Sequence, residues 1–355
     1  MRNLFILPRI HQNIVSELEG IYESGEKLKI ISLNKSIYEK KFNTFLVKDI
    51  VFLSNIAKKI IPKNIMGELP NNGYIIPNQE SIKIIFKSIF RSKRVFLREL
   101  RFPVSLISLF FIFLLRKDLI IKIQLQNKRL PLSYKFLFLI FKLFNLNIKI
   151  NNALPFYSNN FSFVPFKKPR TNIKPQDLAS DYSYLNLTSI GKLEDRKRIL
   201  LPLMVARELI NEKVFKLINL NIFITYKDKN SNLILDEIEN YKKRIIEIYP
   251  NLKINIYHSS SNDFVLKTLA SSHIYLHPAN KEQASYSIIE AFSVGAFVLS
   301  QIDCYTTDYL PFENCSKKLK NFSSRNVVRF IKENFDIISS KKNREYRSKK
   351  LFYRK

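Results

Sequence analysis

The sequence predicts an α/β protein made of two Rossmann-like domains that face a cleft. Three observations support this prediction. Short apolar runs alternate with longer segments of helical period along most of the chain. The alternation is interrupted once, by a proline-rich segment without periodicity, and then restarts. The length of 355 residues also suits two domains of about 170 residues better than one.

The first domain is predicted over residues 1–168. Its short apolar strands alternate with helices, an order that favours a parallel sheet. The apolar run before Pro8 is too short for a signal peptide, so we expect a first strand there and a cytoplasmic location. The predicted strands are LFIL, KIISL, RVFLREL, LIIKIQL and LNIKI.

The segment FPVSLISLFFIFLL, residues 102–115, is apolar on every side. It is too short to span a bilayer as a helix, which takes about 20 residues. We therefore expect a helix buried against the sheet. The next apolar run, KFLFLIFKLFNLNIKI, includes Lys142 within an apolar surface, as interfacial helices do. Peripheral membrane contact thus stays open, whereas a membrane span is not expected.

Residues 169–182 are predicted to link the domains, because Pro169 and Pro175 lie in a stretch with no periodicity. A second domain is predicted over 183–325, followed by a C-terminal helix and basic tail over 326–355. The strands predicted for the second domain are LNLTSIG, NIFITY, KINIYH, HIYLH and AFVLS, with a helix between each pair.

The chain is strongly basic, with a formal net charge of +29. Residues 81–170 hold eighteen Lys and Arg against two acidic residues, and residues 341–355 hold eight against one. Such patches suit nucleic acid or an anionic membrane surface. A coding bias toward Lys and Asn would also raise the charge without selecting a partner. Cys304 and Cys315, the only cysteines, lack metal-ligand spacing, so neither a disulfide framework nor a metal site is predicted.

A first candidate site lies in SIGKLEDRKRILL, residues 189–201. The predicted strand ends at Gly191, Lys192 follows it, and Lys197 and Arg198 stand where a helix is expected to begin. Cations at a helix N-terminus add to the positive end of the helix dipole, and together they can neutralise a diphosphate.

A second candidate site lies in KEQASYSIIEAFSVGAFVLS, residues 281–300. Ser285 is predicted to cap a helix and Gly295 to end it. Glu282 then lies in the loop before the helix and Glu290 on the helix. Eight helical positions would span about 12 Å, more than the roughly 5–9.5 Å between the paired carboxylates of glycosidases. We therefore expect two separate tasks for these carboxylates.

The two motifs, in this order, resemble the retaining nucleotide-sugar glycosyltransferases of family four, which have the GT-B fold. The family pattern G-R-L-x-x-x-K-G is matched by Gly191, Lys192, Leu193 and Lys197. The pattern P-S-x-x-E-x-x-x-x-x-x-x-E-A, followed by a glycine, is matched by Pro278, Glu282, Glu290, Ala291 and Gly295. The match covers roughly residues 183–300, and the first domain resembles the family only in its strand–helix alternation.

The resemblance implies a role for each matched residue. Lys192 and Lys197 would bind the diphosphate of the donor and stabilise the leaving nucleotide. Glu290 would accept hydrogen bonds from the ribose, and Glu282 would face the transferred sugar. Backbone amides after Glu282 would meet the phosphates, which adds the following residues to the donor-binding set: Gln283, Ala284 and Ser285.

The resemblance also implies a hexosyltransferase-type, retaining enzyme without a cofactor or metal. Its substrates would be a nucleotide sugar and a saccharide or lipid-linked acceptor for surface polysaccharide or lipopolysaccharide. It would work in the cytoplasm at the inner face of the cell membrane. The partners expected there include an anionic membrane surface but no nucleic acid. As in GT-B relatives, residues 326–355 would pack back on the first domain.

Two alternatives remain open at this point. Lys192 stands where the family has arginine, and Gln283, Ala284 and Ser285 stand where the family has glycine–aromatic–glycine. The first domain also has no convincing counterpart of the histidine often found in the family's active site. These differences also fit a GT-B-like protein that has lost catalysis. The basic charge with interleaved Tyr and Phe fits a nucleic-acid-binding protein instead.

Overall fold

The structure is a computed structural model. It describes residues 2–7, 17–18, 21, 24–32, 50–52, 77–98, 100, 103–123, 132–153, 162–164, 168–169, 171–224, 231–258, 260–280, 282, 285–302, 304–310 and 314–349. The chain divides into two compact units, Met1–Lys167 and Lys168–Lys355. Among the helices in these ranges, none is both long enough and apolar enough to cross a membrane.

The first unit contains a parallel sheet of seven described strands. In chain order the strands are β1 Arg2–Leu7, β2 Leu28–Ser32, β3 Ile50–Phe52, β4 Ser92–Arg98, β5 Asp118–Ile123, β6 Ile148–Asn152 and β7 Ser162–Phe163. Their spatial order is β3-β2-β1-β4-β5-β6-β7. The five predicted strands are therefore confirmed, and the structure adds the short edge strands β3 and β7.

Three helices connect the later strands of this sheet: α1 Gln79–Phe90, α2 Pro103–Leu114 and α3 Leu132–Leu143. The expectation that residues 102–115 are buried on all sides is wrong. α2 buries Val104, Ser105, Ser108 and Ile112, but its opposite side is exposed to solvent. The sheet and its neighbours cover only this one side of α2, so the apolar side chains on the opposite side remain exposed.

The second unit contains a parallel sheet of six described strands: β8 Tyr184–Gly191, β9 Leu217–Ile224, β10 Leu252–His258, β11 Ile274–His277, β12 Phe297–Gln301 and β13 Ser316–Leu319. The spatial order is β10-β9-β8-β11-β12-β13, the doubly wound arrangement in which strand order reverses between β8 and β11. All strands predicted for this domain are confirmed, and β13 is an additional edge strand.

The helices of the second unit are α4 Leu200–Asn211, α5 Ser231–Ile248, α6 Asn262–Ala270, α7 Tyr286–Ser293, α8 Ser324–Ser339 and α9 Lys341–Lys349. Side chains of α4, α5 and α8 pack with those of the strands in one apolar core. β8 is buried from Leu185 to Gly191, as expected for a central strand covered on both faces.

A row of asparagines crosses this otherwise apolar sheet. The Asn186 side-chain oxygen accepts from Asn219 at 2.7 Å, and the Asn219 oxygen accepts from Asn255 at 2.8 Å. Asn255 also donates to Asn221 at 3.1 Å. The amides thus link β8, β9 and β10, and each satisfies the next, which is the condition for burying polar groups without a large loss of stability.

α9 is attached to the second unit by two buried arginines. Arg344 donates to the carbonyls of Ala270 and Ser272, both at 2.6 Å, and so caps the end of α6. Arg347 donates to the carbonyl of Ile338 at 3.0 Å and to that of Asn314 at 2.7 Å. Burial lowers the pKa of Arg344 to about 10 and that of Arg347 to about 9, so both stay charged at neutral pH.

These contacts change the interpretation of the basic tail. Arg344 and Arg347 are fully buried, so they are not available to an anionic surface. The described part of the tail, through Lys349, belongs to the second unit. Packing of residues 326–355 on the first domain stays a prediction.

We expect Arg347→Ala to lower the free energy of unfolding of the second unit by roughly 2–4 kcal/mol, because several buried carbonyls lose their donor. Lys349→Ala, on the same helix but with an exposed side chain, should change it by less than about 0.5 kcal/mol. Chemical denaturation of both variants measures the difference. Equal effects would mean that Arg347 is not a structural anchor.

Candidate active site

The two motifs lie at the carboxyl ends of neighbouring strands. β8 ends at Gly191 and β11 at His277, and the two strands pair in parallel, with Tyr275 opposite Thr188. The strand order of the sheet reverses between them. In doubly wound sheets ligands bind in the crevice at this reversal, outside the carboxyl ends of the strands.

The turn after β8 differs from the expected strand-to-helix junction. Residues Asp195–Lys197 form a short 3-10 helix, and Arg198 takes the left-handed conformation with a φ of 50°. α4 begins only at Leu200, so the prediction that the helix starts at Lys197 and Arg198 is wrong. Lys197 is therefore held by side-chain contacts and not by a place at the helix N-terminus.

Gly191 lies where the turn folds back on the strand end. It is buried, and a Cβ atom there would lie 2.5 Å from Cδ1 of Ile199. The absence of a side chain lets the Ile199 side chain close over the end of β8.

The turn after β11 leads into α7 as predicted, but the prediction that the Ser285 side chain caps this helix is wrong. Ser285 precedes the helix, yet its hydroxyl bonds the Ser287 hydroxyl at 2.8 Å instead of a helix amide. Its own amide donates to Oγ1 of Thr306 at 2.8 Å. Gly295 has a φ of 90° and ends the helix, which confirms that prediction. Gln283 and Ala284 lie outside the described residues.

A chain of alternating charges joins the two turns. Lys197 Nζ and Arg196 Nη1 both contact Oε2 of Glu282, the arginine at 2.7 Å. Arg196 Nε lies 2.8 Å from Glu194 Oε2, and Lys192 Nζ lies 3.6 Å from Glu194 Oε1. The structure thus brings together three of the predicted residues, and sequence reasoning missed Glu194 and Arg196.

The Lys197–Glu282 pair is the buried part of this network. Only 11% of the Lys197 side chain and 12% of the Glu282 side chain are exposed, against 45% for Arg196. Burial by itself raises the pKa of Glu282, but the charge and hydrogen bond of Lys197 outweigh it and hold the pKa below its usual range. Burial lowers the pKa of Lys197, against the opposing effect of Glu282.

Glu290 lies on α7 and is buried, with 7% of the residue exposed. Burial raises the pKa of Tyr275, and the charges of Glu290 and Glu282 raise it further. Tyr275 therefore lies within electrostatic reach of both carboxylates. The structure places Glu282 before the helix and Glu290 on it, the arrangement expected from the sequence.

His277, the last residue of β11, has a buried nitrogen beside the charged network. Its Nδ1 lies 3.0 Å from the Tyr275 hydroxyl, which in turn lies 2.7 Å from the Ser287 hydroxyl. Its Nε2 is buried and has no hydrogen-bond partner in the described part of the chain. Burial, and then the charge of Lys197, lowers the pKa of His277 to about 3, so the imidazole is neutral.

His273, four residues earlier on the same side of the strand, is fully bonded. Its Nδ1 accepts from the Asn186 amide and its Nε2 bonds the Ala179 carbonyl, both at 3.0 Å. His273 is thus a buried residue with a structural role. The sequence feature that could have indicated a role for His277 in the site is its position at the carboxyl end of a predicted central strand.

Within the described ranges, no group of three or more His, Cys, Asp and Glu side chains is placed to hold a metal ion. Phosphate neutralisation by Lys192, Arg196 and Lys197 is the chemistry that the geometry favours here. The expectation that no cofactor or metal takes part stays a prediction.

Comparison with known proteins finds matches among solved structures, whereas no protein-family model and no curated protein matches the chain. Anabaena HepE in complex with UDP is 10% identical, with a TM-score of 0.67 over 99% of this chain and 96% of HepE. A glycosyltransferase from Rickettsia africae is 13% identical, with a TM-score of 0.63 over 98% of this chain and 91% of that protein.

WaaG, a glycosyltransferase involved in lipopolysaccharide biosynthesis, is 12% identical, with a TM-score of 0.58 over 98% of this chain and 93% of WaaG. The chain has the GT-B fold. The predicted class of two parallel-sheet α/β domains is thus confirmed, and the motif pair lies in the second GT-B domain.

We expect Lys197→Met and Glu282→Gln to be coupled in stability by about 1–3 kcal/mol in a double-mutant cycle. Glu282→Gln removes the carboxylate that pairs with the buried Lys197, and Lys197→Met leaves the buried Glu282 with the more exposed Arg196. The exposed i,i+4 pair Lys267 and Asp263 on α6 is the control, with an expected coupling of about 0.5 kcal/mol or less.

The same pair sets a pH dependence. The pKa of Glu282 is lower in the folded state than in the unfolded state. The charge of Glu282 therefore contributes its full stabilisation above the unfolded pKa of about 4.3, and this stabilisation is lost as the pH falls through the folded pKa. Glu282→Gln should therefore lose less stability than the parent between pH 6 and 3. Parallel acid curves would contradict a charged Glu282.

Proposed function

We propose that this GT-B protein is a glycosyltransferase that moves a sugar from a nucleotide-diphosphate donor to a saccharide or lipid-linked acceptor. The observation that carries the proposal lies where the strand order of the second unit reverses. There the cationic turn after β8 contacts Glu282 in the turn after β11, and Glu290 lies on the helix that follows. Solved neighbours support it: HepE binds UDP, and a pneumococcal O-GlcNAc transferase binds UDP and GlcNAc.

The donor diphosphate would lie against Lys192, Arg196 and Lys197. Two of these cations contact Glu282 in the structure, so a diphosphate would compete with this carboxylate for them. Charge-assisted hydrogen bonds to phosphate are strong, and negative charge grows on the departing diphosphate as the glycosidic bond breaks. The cations would therefore stabilise the transition state more than the bound donor.

Release of the cations would leave the Glu282 carboxylate free to accept from hydroxyls of the transferred sugar. His277 is placed to assist, because its Nε2 needs a partner and its ring is held by the Tyr275 hydroxyl. A sugar hydroxyl would satisfy that nitrogen. Glu290 would accept from the two ribose hydroxyls, and the backbone after Glu282, including Gln283, Ala284 and Ser285, would meet the phosphates.

Retention of configuration and independence from metal ions form part of the proposal through the resemblance to family four. The acceptor would belong to cell-surface polysaccharide or lipopolysaccharide biosynthesis. We place the reaction in the cytoplasm, at the inner face of the membrane, because residues 81–170 carry eighteen basic and two acidic residues.

A nucleoside diphosphate should raise the melting temperature of the protein, and Glu290→Ala should remove most of that rise because a buried ribose contact is lost. Glu333→Ala, an exposed glutamate on α8, is the matched control and should keep the full rise. A screen of nucleoside diphosphates and nucleotide sugars by thermal shift makes the measurement. Equal rises in the parent and Glu290→Ala would remove Glu290 from the site.

Lys192→Met should lower turnover at least tenfold, whereas Lys192→Arg should keep most of it, since either cation can stabilise the leaving diphosphate. Lys192 is 42% exposed, so its loss should leave folding intact. The measurement is release of nucleoside diphosphate from the nucleotide sugar that gives the largest thermal shift. Binding without release in the parent would indicate a GT-B protein that has lost catalysis.

A further inference from the structure

Two helices of the first unit expose large apolar side chains. On α2 these are Leu106, Phe110 and Leu114, and on α3 they are Leu132, Phe136, Leu139 and Leu143. Each is between 52% and 82% exposed. We call these seven side chains the apolar face. A soluble protein rarely exposes so many large apolar residues together, and such patches usually mark an interaction site.

The spacing shows that each helix contributes one continuous side. The exposed residues recur every four positions on α2 and every three or four on α3, so they project in one direction from each helix. The helices are neighbours, because the Phe113 ring lies 4.9 Å from the Phe144 ring and 6.1 Å from the Phe141 ring. Other sides of these helices bury Ile112 and Phe141.

Positive charge accompanies the apolar face. Residues 103–143 contain seven Lys and Arg and one acidic residue, Asp118. Lys135 and Lys142 are exposed on α3 itself, and Arg116 is exposed just after α2. The sequences of α2 and α3 contain no acidic residue. The surface therefore combines apolar side chains with cations and suits a partner that is both apolar and anionic.

We propose that the apolar face inserts into the boundary between headgroups and acyl chains of an anionic membrane. A helix of 12 residues is about 18 Å long and cannot cross the hydrocarbon core of about 30 Å, so the helices would lie in the plane of the interface. The flexible stems of Lys135 and Lys142 allow their ammonium groups to reach lipid phosphates while the stems lie along the apolar layer.

A second copy of the chain fits this surface less well. In a two-fold dimer the same patch meets itself, so Lys135, Lys142 and Arg116 of both copies would lie in one interface. Like charges across an interface are unfavourable, whereas anionic headgroups complement them. The inference adds to the proposed function a surface and a mode of contact, and it does not depend on the donor site.

The chain contains no tryptophan, which allows a specific test of insertion. In Phe136→Trp the only indole lies in the apolar face. In the control, Leu233→Trp, the indole lies at a position on α5 of the second unit that is 79% exposed, against 63% for Phe136. With vesicles of phosphatidylcholine and 30% phosphatidylglycerol, we expect Phe136→Trp emission to shift to the blue and to be quenched by brominated acyl chains. Leu233→Trp should show neither change.

Flotation of the full chain with the same vesicles measures affinity. Each of Lys135→Gln and Lys142→Gln should weaken binding about fivefold, the equivalent of about 1 kcal/mol per cation. Phe110→Gln together with Phe136→Gln should weaken it at least tenfold, because both apolar contacts are lost. Pure phosphatidylcholine vesicles should bind poorly, and salt should weaken binding to the anionic vesicles without abolishing it.

Three results would overturn the proposal. The first is that the protein does not bind anionic vesicles. The second is that it binds them without any change in Phe136→Trp emission, which would mean that only charges make contact. The third is a dimer that Phe110→Gln with Phe136→Gln converts to a monomer while vesicle binding is unchanged. The thermal shift by nucleoside diphosphate should be the same in this double variant and the parent. Failure of membrane binding with an intact shift would therefore leave the proposed function standing.

Discussion

The parallel pairing of β8 with β11 is the constraint on which the candidate site depends. Because the strand order reverses at this pair, the connections after the two strands run to opposite sides and leave a crevice at their carboxyl ends. The turn after Gly191 and the turn before Glu282 both face that crevice. Side chains that are about ninety positions apart in sequence thereby come within hydrogen-bonding distance.

Glu282 links the two turns at an energetic cost. Moving a carboxylate and an ammonium group out of water is unfavourable, and their attraction offsets this loss only with good geometry. Two cations contact the same carboxylate oxygen here, and the Asn280 amide donates to the Arg196 carbonyl at 2.8 Å, which fixes the turns against each other. This arrangement is compatible with the proposed exchange of partners between Glu282 and an anionic ligand.

The positive charge of the chain serves different ends in different places. Arg344 and Arg347 are buried and bind backbone carbonyls, where they end helices and hold α9. Lys197 is buried in the candidate site, whereas Lys135 and Lys142 are exposed beside apolar side chains. The net charge of +29 therefore does not form one continuous basic surface, and the role of each cation follows from its own burial and contacts.

The sequence by itself determined the two parallel-sheet domains, the predicted strands, the helix stop at Gly295 and the motif residues, because these depend on local periodicity and short spacing. Only the tertiary structure decided that a 3-10 turn precedes α4 and that Arg196 and Glu194 take part in the charge network. It also decided that Nε2 of His277 is buried without a hydrogen-bond partner among the described residues. It also decided which side of α2 is exposed. Those features depend on contacts between distant segments and on how much of a helix its neighbours cover, and an apolar run has the same pattern whether it is buried by protein or left open.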